Sequence, residues 1–569
     1  MEFLDARRLT GPNAIFDGIG SVLDVACSPD DGEQLLPVWA EHVGRMLESL
    51  DWPSAEFAFR RLEGGVSLAF SAPIDQLYAA SEINEWAFRA SAFELGRSDE
   101  QPDFDEAFAA IRRAAEEEAN IELLWLVDEA AARGKALLWD DDDVSVGLGR
   151  WSRTWPVRDI PDAPPWADLR DIPVGIITGT NGKTTSVRLA KHILRTAGHD
   201  VGVSCTDWIA VNEQIIDRDD WSGPGGARAV LRRQEIDAAI LETARGGLLR
   251  RGLGVERADA ALITNVSEDH LGDFGSRNLG ELLEIKWVVS HAVREAGKLV
   301  LNAEDRRLVD KAGNYDGDIV WFSLDPRHAT VTAHVAGGGA AFVLDEGELC
   351  CLEGRERQPL CRAADIPITM GGAARHNVAN ALAAAALTWC MGVSPGDIAT
   401  GLRTMQQDEN PGRCNLYSLD GFKVLVDFAH NPAAMAALFD MARAVPAERR
   451  VLCFGQAGDR TDALIRELAR DAWAIGLDRV IVSELPKYHR GRAHGDVFRI
   501  IREELLASGA RAAQIRHHED EMDSFDDAIG WARPGDLVIM LALGGAGPVQ
   551  ERLRELGAES SAGAAAIRG

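Results

Sequence analysis

The stretch Ile176-Ile177-Thr178-Gly179-Thr180-Asn181-Gly182-Lys183-Thr184-Thr185 joins an apolar run to a glycine-turned loop that carries a lysine and ends in hydroxyl residues. An apolar strand, Val174–Ile177, precedes the loop, and an amphipathic helical pattern, Ser186–Thr196, follows it. Strand, glycine turn and helix in that order make an anion cradle. Backbone N–H groups of the turn and of the helix start point at a phosphate, and Lys183 adds a point charge. The hydroxyl of Thr184 is placed to hold Mg²⁺. Gly179, Thr180, Asn181, Gly182, Lys183, Thr184 and Thr185 are therefore expected to bind nucleotide phosphates. The spacing departs from the common phosphate loop, because Ile177 stands where the first glycine would be. An ordinary strand-to-helix turn is the alternative; the flanking strand and helix supply the context that phosphate binding requires.

The composition bounds the rest. At 569 residues the chain predicts three domains, on a prior of roughly 150–200 residues each. An apolar share of 46% is ample for buried cores. The formal net charge of −30 argues against nucleic acid and against anionic membrane as partners, because much of the surface would repel them. Solubility is the simpler reading of that charge. Eight cysteines without regular spacing make no disulfide framework, and with no CxxC pair zinc is not expected. The acidic start Met1–Asp5 lacks a signal-peptide pattern, and no apolar run reaches the ~18–20 residues of a membrane span. A cytoplasmic protein is expected.

The fold class read from the pattern is α/β in three domains. Residues 1–168 predict an α+β amino-terminal domain, with helical patterns at Leu36–Leu50, Phe104–Ala119 and Ile121–Arg133, closed by a linker holding Pro161, Pro164 and Pro165. From 169 to 412 strands alternate with helices, which predicts a central P-loop ATPase domain built on a mostly parallel sheet. The segment 320–366, richer in Val and Gly, reads as a small β excursion. From 413 to 569 a second alternation, with strands at Val424–Val426, Val451–Phe454, Val480–Val482 and Leu537–Leu541, predicts a Rossmann-like domain. The Ala/Ser/Gly-rich tail after Gly557 is expected to be disordered.

In open α/β sheets ligands collect at the carboxyl ends of the strands. That places Glu242, at the end of Ala238–Leu241, and Thr264, Asn265 and His270, after Ala260–Ile263, beside the phosphate loop. Lys286 follows on a helical stretch. Taken singly, the glutamate reads as a cap, the histidine as structural and the lysine as a surface residue. Their order behind a phosphate loop makes them candidates for metal and phosphate chemistry.

This series resembles the Mur ligase family of ATP-dependent amide-forming ligases. Later segments agree. Leu301-Asn302-Ala303-Glu304-Asp305 resembles the family's adenosine-side motif, and Arg375-His376-Asn377-Val378-Ala379-Asn380-Ala381-Leu382-Ala383-Ala384 its H-N-x-x-N helix. Pro411-Gly412-Arg413 resembles the hinge whose arginine reaches the phosphates, and Asp427-Phe428-Ala429-His430-Asn431-Pro432 the opening of the third domain. Gly455…Gly458-Asp459-Arg460 resembles that domain's glycine loop. Within the family the likeness is nearest to the Mur-like half of cyanophycin synthetases, through Glu242-Thr243-Ala244-Arg245-Gly246-Gly247-Leu248-Leu249-Arg250-Arg251-Gly252 and Arg490-Gly491-Arg492. Leu9-Thr10-Gly11-Pro12-Asn13 and Glu41-His42-Val43 resemble the amino-terminal domain of the same group, but no ATP-grasp region separates the two parts here.

The resemblance implies roles. Lys183 and Thr184 would bind the phosphates of ATP and a first Mg²⁺, and Glu242 and His270 would complete a two-metal site. Lys286 would be carbamylated and orient the second metal. Asn302 and Asn380 would sit near adenine and Asp305 near the ribose. Arg413 would stabilise charge on the transferred phosphoryl group, and His430 or Asp427 would act as base toward the incoming amine. Asp459 and Glu484 would pair with a guanidinium if the amine is arginine. The implied reaction is ATP-dependent amide formation through an acyl phosphate, joining an amino acid such as arginine to a small acidic, aspartate-containing peptide or polymer. A Mur-type ligase for another acidic substrate remains open. So does a catalytically silent nucleotide-binding partner of a full-length cyanophycin synthetase. A homo-oligomer or association with such a synthetase are the partner arrangements implied.

Overall fold

The computed structural model describes residues 1–62, 64–268 and 278–561. Four antiparallel strands open the chain, β1 (Glu2–Thr10), β2 (Ile19–Ala26), β3 (Phe57–Leu62) and β4 (Gly65–Ser71), in the order β1-β2-β4-β3. Helices Pro29–Ser49 and Leu77–Glu94 bury Trp39, Met46, Ile83 and Trp86 against Leu68 and Phe70 of that sheet. The indole N–H of Trp39 donates to Asn84 Oδ1 at 2.9 Å, so this buried amide is satisfied. Two further helices, Phe104–Glu118 and Ile121–Ala132, lie close to their predicted bounds. Each starts at a side-chain cap, Asp103 and Asn120, that accepts a first-turn N–H.

A small antiparallel sheet of β5 (Leu137–Trp139), β6 (Asp143–Val146) and β7 (Arg153–Pro156) follows. It does not behave as an independent unit. Leu138, Leu148 and Ile172 share a core with Ile176 of the central sheet and with Ile236, just before β12. Arg232 reaches back to Asp140 at 2.6 Å, to Ser145 Oγ at 2.8 Å and to the Asp143 carbonyl at 2.9 Å.

The central sheet has eleven strands in the order β11-β10-β9-β12-β8-β13-β14-β15-β16-β17-β18. They are β8 (Val174–Thr178), β9 (Val201–Ser204), β10 (Ile209–Val211), β11 (Gln214–Asp217), β12 (Ala238–Glu242), β13 (Ala258–Ile263), β14 (Val293–Asn302), β15 (Asp318–Ser323), β16 (Ala340–Asp345), β17 (Glu348–Glu353) and β18 (Glu356–Arg362). The seven from β9 to β16 in spatial order run parallel, and antiparallel strands finish both edges. β8 and β12 are buried at every residue, as strands covered on both faces must be. The alanine-rich helix Arg375–Cys390 packs across β13 to β16 and against the phosphate-loop helix. Its run from Ala381 to Leu387 is buried throughout. The expected β excursion at 320–366 is part of this same sheet, and it contains a helix, Ala329–Ala336.

The carboxy-terminal sheet runs β23-β22-β21-β24-β20-β19-β25. Its strands are β19 (Asn415–Leu419), β20 (Phe422–Asp427), β21 (Arg450–Phe454), β22 (Arg479–Ser483), β23 (Ile515–His518), β24 (Leu537–Leu541) and β25 (Glu559–Ser560). The five from β23 to β20 in that order are parallel. The expectation of disorder directly after Gly557 fails here. Glu559–Ser560 pairs with β19, and Ser561 N donates to Leu416 O at 2.8 Å, so backbone pairing orders a segment with no apolar pattern. Among the described residues no helix is long and apolar enough to cross a membrane.

Candidate active site

β9 and β12 lie on one side of β8 and β13 and β14 on the other, so the chain reverses its winding at β8. A crevice opens at the carboxyl end of such a strand. The loop that leaves β8 there is held from both sides. Thr178 Oγ1 donates to Thr243 O at 2.7 Å, Thr264 Oγ1 to Asn181 O at 2.7 Å and Thr180 Oγ1 to Ser267 O at 3.1 Å. Gly182 has φ +84°, and a Cβ there would lie 2.2 Å from Asn380 Oδ1, so only glycine allows this close approach. The helix starts at Lys183, three residues before the predicted Ser186, and runs to Thr196. Lys183 Nζ donates to Thr180 O at 3.0 Å, curled over its own loop. Lys286, only 4% exposed, donates to Gly179 O at 2.7 Å.

Glu242 ends β12 and is 1% exposed. Thr206 Oγ1 donates to its Oε1 at 2.6 Å, which fixes the carboxylate beside the loop. Thr184, Glu242 and Lys286 all line one cavity with the phosphate loop. The fourth expected metal residue, His270, lies outside the described residues. Among the described residues no group of three or more His, Cys, Asp or Glu is arranged to hold a metal ion. A single buried carboxylate and a hydroxyl nevertheless fit a nucleotide-borne Mg²⁺, which keeps several waters and takes most of its other ligands from phosphates.

On the other side of β8, Asn302 and Asn380 also line the cavity. Asn302 Nδ2 donates to Thr264 O at 3.0 Å, and Asn380 Nδ2 to Asn377 Oδ1 at 3.2 Å. Asp305 stands apart from the cavity lining. Its carboxylate accepts Val266 N at 2.7 Å and Arg307 N at 3.1 Å, capping helix Arg306–Ala312 and tying it to the segment after β13.

The carboxy-terminal domain closes the same cavity, whose volume is 880 Å³. Asn431 and Asn181 exchange two side-chain hydrogen bonds, at 2.9 and 3.2 Å, although 250 residues separate them. Asn431 also caps helix Pro432–Ala444 through Ala434 N. Arg413 stacks on Phe428 at 4.4 Å and lies 3.6 Å from Asp207. Asp427 accepts Cys414 N and Ala429 N, each at 2.7 Å. Burial raises its carboxyl above the ordinary value, against the opposing pull of His376, Arg413 and those two N–H groups. Burial lowers the imidazole of His376, and its Nδ1 has no hydrogen-bond partner in the cavity wall. His430 Nδ1 sits 3.0 Å from Phe428 O. A carbonyl only accepts, so the proton lies on Nδ1 and Nε2 is the basic nitrogen of the neutral ring.

Two carboxylates considered for a guanidinium substrate are already engaged by the chain itself. Asp459 pairs with Arg490, and Glu484 holds His517 at 2.9 Å and His489 at 3.3 Å. Sequence reasoning assigned no role to Thr206, His376, Arg460 or Asn431, all of which line the cavity or brace its walls. Asn431 carried one signal, an Asn before a Pro at a helix start, but that marks the cap and not the partner.

The loop after β24 forms a further wall. Leu543 N and Gly544 N donate to Glu521 at 2.6 and 2.7 Å, and burial pushes that carboxyl up to about 7 from 4.5. The folded state thus holds a proton that the unfolded chain releases, so stability falls as pH rises from 4.5 to about 7. At about 1.4 kcal/mol per tenfold change in proton affinity, the loss is on the order of 3 kcal/mol. Urea midpoints measured across this range should decline, and Glu521→Gln should flatten the decline.

Comparison with known proteins agrees with this geometry. Residues 177–388 match the family model described as Mur ligase middle domain, and residues 412–544 match Mur ligase, glutamate ligase domain. Both walls of the cavity thus lie in matched segments, and the chain belongs to the Mur ligase family. It is 35% identical to a cyanophycin synthetase of Crocosphaera subtropica over 70% of this chain and 45% of that protein. It therefore spans less than half the length of that relative. It is 26% identical to the UDP-N-acetylmuramoyl-L-alanyl-D-glutamate–2,6-diaminopimelate ligase of Gloeobacter violaceus, over 66% of this chain and 73% of that one. E. coli FolC in complex with DHPP and ADP aligns at a TM-score of 0.49 and 18% identity, covering 67% of this chain and 89% of that one.

Proposed function

We propose that this chain is an ATP- and Mg²⁺-dependent carboxylate–amine ligase, working in the cytoplasm, that joins an amino acid such as arginine to a carboxylate of a small aspartate-containing peptide or polymer. The observation that carries this reading is the closure of two domains on one cavity, with the phosphate loop paired to Asn431 of the opposite domain. A ligase must hold ATP, an acid and an amine together while excluding water from the activated acid.

In this reading an acceptor carboxylate oxygen attacks the γ-phosphorus, ADP leaves, and the amine nitrogen attacks the acyl carbon. Phosphate departs with one acceptor oxygen. The phosphate loop and Lys183 hold the triphosphate, and Arg413 faces the charge that develops on the transferred phosphoryl group. Thr184 and Glu242 would hold Mg²⁺, with His270 and a carbamylated Lys286 proposed for a second ion. Bound metal would polarise the phosphates and neutralise their charge. The amine must lose a proton to attack. Nε2 of His430 and the carboxylate of Asp427, which also accepts two backbone N–H groups, are the two groups proposed for that task. Asn302 and Asn380 suit the adenosine side, and Asp305 would act there only indirectly, through Val266. That Lys183, Thr184, Glu242, Lys286 and Arg413 all line the cavity favours a working ligase over a silent regulatory partner.

Acceptor labelled with ¹⁸O in its carboxylates should pass label to the released phosphate. Amide formation with unlabelled phosphate would exclude the acyl phosphate. The domain pairing has its own check. Asn431→Ser keeps a helix cap but is too short to reach Asn181, and is expected to lower kcat about tenfold with little change in Tm. Steady-state kinetics beside a thermal melt would separate the two effects.

A further inference from the structure

Two segments singled out in the sequence, Leu9–Asn13 and Glu242–Gly252, meet in the structure. Thr10 N donates to Arg251 O at 2.8 Å and Leu253 N to Pro12 O at 2.8 Å. Thr10 Oγ1 reaches Arg251 O at 3.2 Å, and Arg7 Nε reaches Leu249 O at 3.3 Å. The two segments approach so closely that neither tolerates a methyl group. A Cβ on Gly11 would lie 2.3 Å from Leu253 O, and one on Gly252, at φ +87°, would lie 2.5 Å from Gly11 O. Asn13 fixes the turn that presents this segment, accepting Ile15 N and Phe16 N and donating to Gly11 O and Gly18 O.

The other end of this contact is the cavity. Helix Arg245–Arg250 begins at Ala244, Arg245 and Gly246, which line the cavity, and ends where the amino-terminal domain grips it. At about 1.5 Å per residue, only about 9 Å of helix separates grip from wall. This helix leaves β12, on the far side of β8 from Asn302 and Asn380. Arg245 thus lines the part of the cavity away from the adenosine side, where an acceptor's carboxylate would lie.

We propose that the amino-terminal domain positions Arg245 for the acceptor, through the Thr10–Pro12 pairing with Arg251–Leu253, and that Gly11 and Gly252 are positioning residues because they allow that pairing. The acceptor assignment rests on the ligase reading; the coupling itself does not. Hydrogen exchange on the full-length protein tests the coupling. In the wild type, the amides of Thr10 and Leu253 both bond across this contact and should be protected to the same degree. Protection of one without the other would overturn the proposal. In Gly252→Ala and Gly11→Ala, exchange at 248–250, the helical amides of this segment, should quicken at least tenfold, with the acceptor KM up about tenfold and the ATP KM within twofold. Wild-type exchange at 248–250, or equal rises in both KM values, would also overturn it. If the wild type turns over no acceptor, the ligase reading fails by itself. The exchange data then decide the coupling, faster exchange at 248–250 upholding it and unchanged exchange refuting it.

Discussion

Lys183→Ala is expected to lower kcat/KM for ATP by about a thousandfold and to weaken ATP binding measured by calorimetry. Lys183 is the first residue of the helix that the phosphate loop opens, and its Nζ rests 3.0 Å from Thr180 O, within the loop it serves. With alanine, the backbone N–H groups would still be available to the phosphates, so weak binding should survive while turnover does not. Stability should barely change, because the lysine lies over the loop and makes no part of the core under it. A variant that keeps near-normal turnover would remove the phosphate loop from the chemistry.

Arg413→Ala is expected to lower kcat by about a thousandfold while the ATP KM moves only a few-fold. Arg413 sits at the join of the two domains, stacked on Phe428 and 3.6 Å from Asp207. Its guanidinium bridges the two domains, with Phe428 on one side and Asp207 on the other, so it is expected to reach the phosphates only when they are closed. Loss of the guanidinium should therefore appear in the transition state more than in nucleotide binding. Arg413→Lys should recover part of the rate, because charge returns without the planar fork. A variant that loses ATP affinity and kcat in equal measure would mark Arg413 as a binding residue instead.

The sequence made the glycine-turned loop between β8 and its helix, the buried strands and the end-of-strand position of Glu242 legible, because each depends on residues adjacent in the chain. Features that depend on meetings at long range were not legible. Thr206 comes from the loop between β9 and β10, and nothing near it names Glu242 as its partner. Asn431 shows its capping role locally and its pairing with Asn181 not at all. Asp305 sits within the expected motif, yet a carboxylate just before a helix caps that helix, and the cap leaves it outside the cavity wall. Composition could not reveal that β16 to β18 extend the main sheet, since backbone pairing and not side-chain pattern joins β16 to β15. The Leu9–Asn13 segment was readable as a motif, but its partner across the domain boundary was not.

The most direct measurement is ADP release by the purified protein with ATP and Mg²⁺, offering β-aspartyl-arginine dipeptide and oligo-aspartate as acceptors, with and without arginine, and Lys183→Ala as control. The account predicts release that needs both an acceptor and an amine and that vanishes in the variant. Tight ATP binding with no acceptor-dependent release under any combination would contradict it.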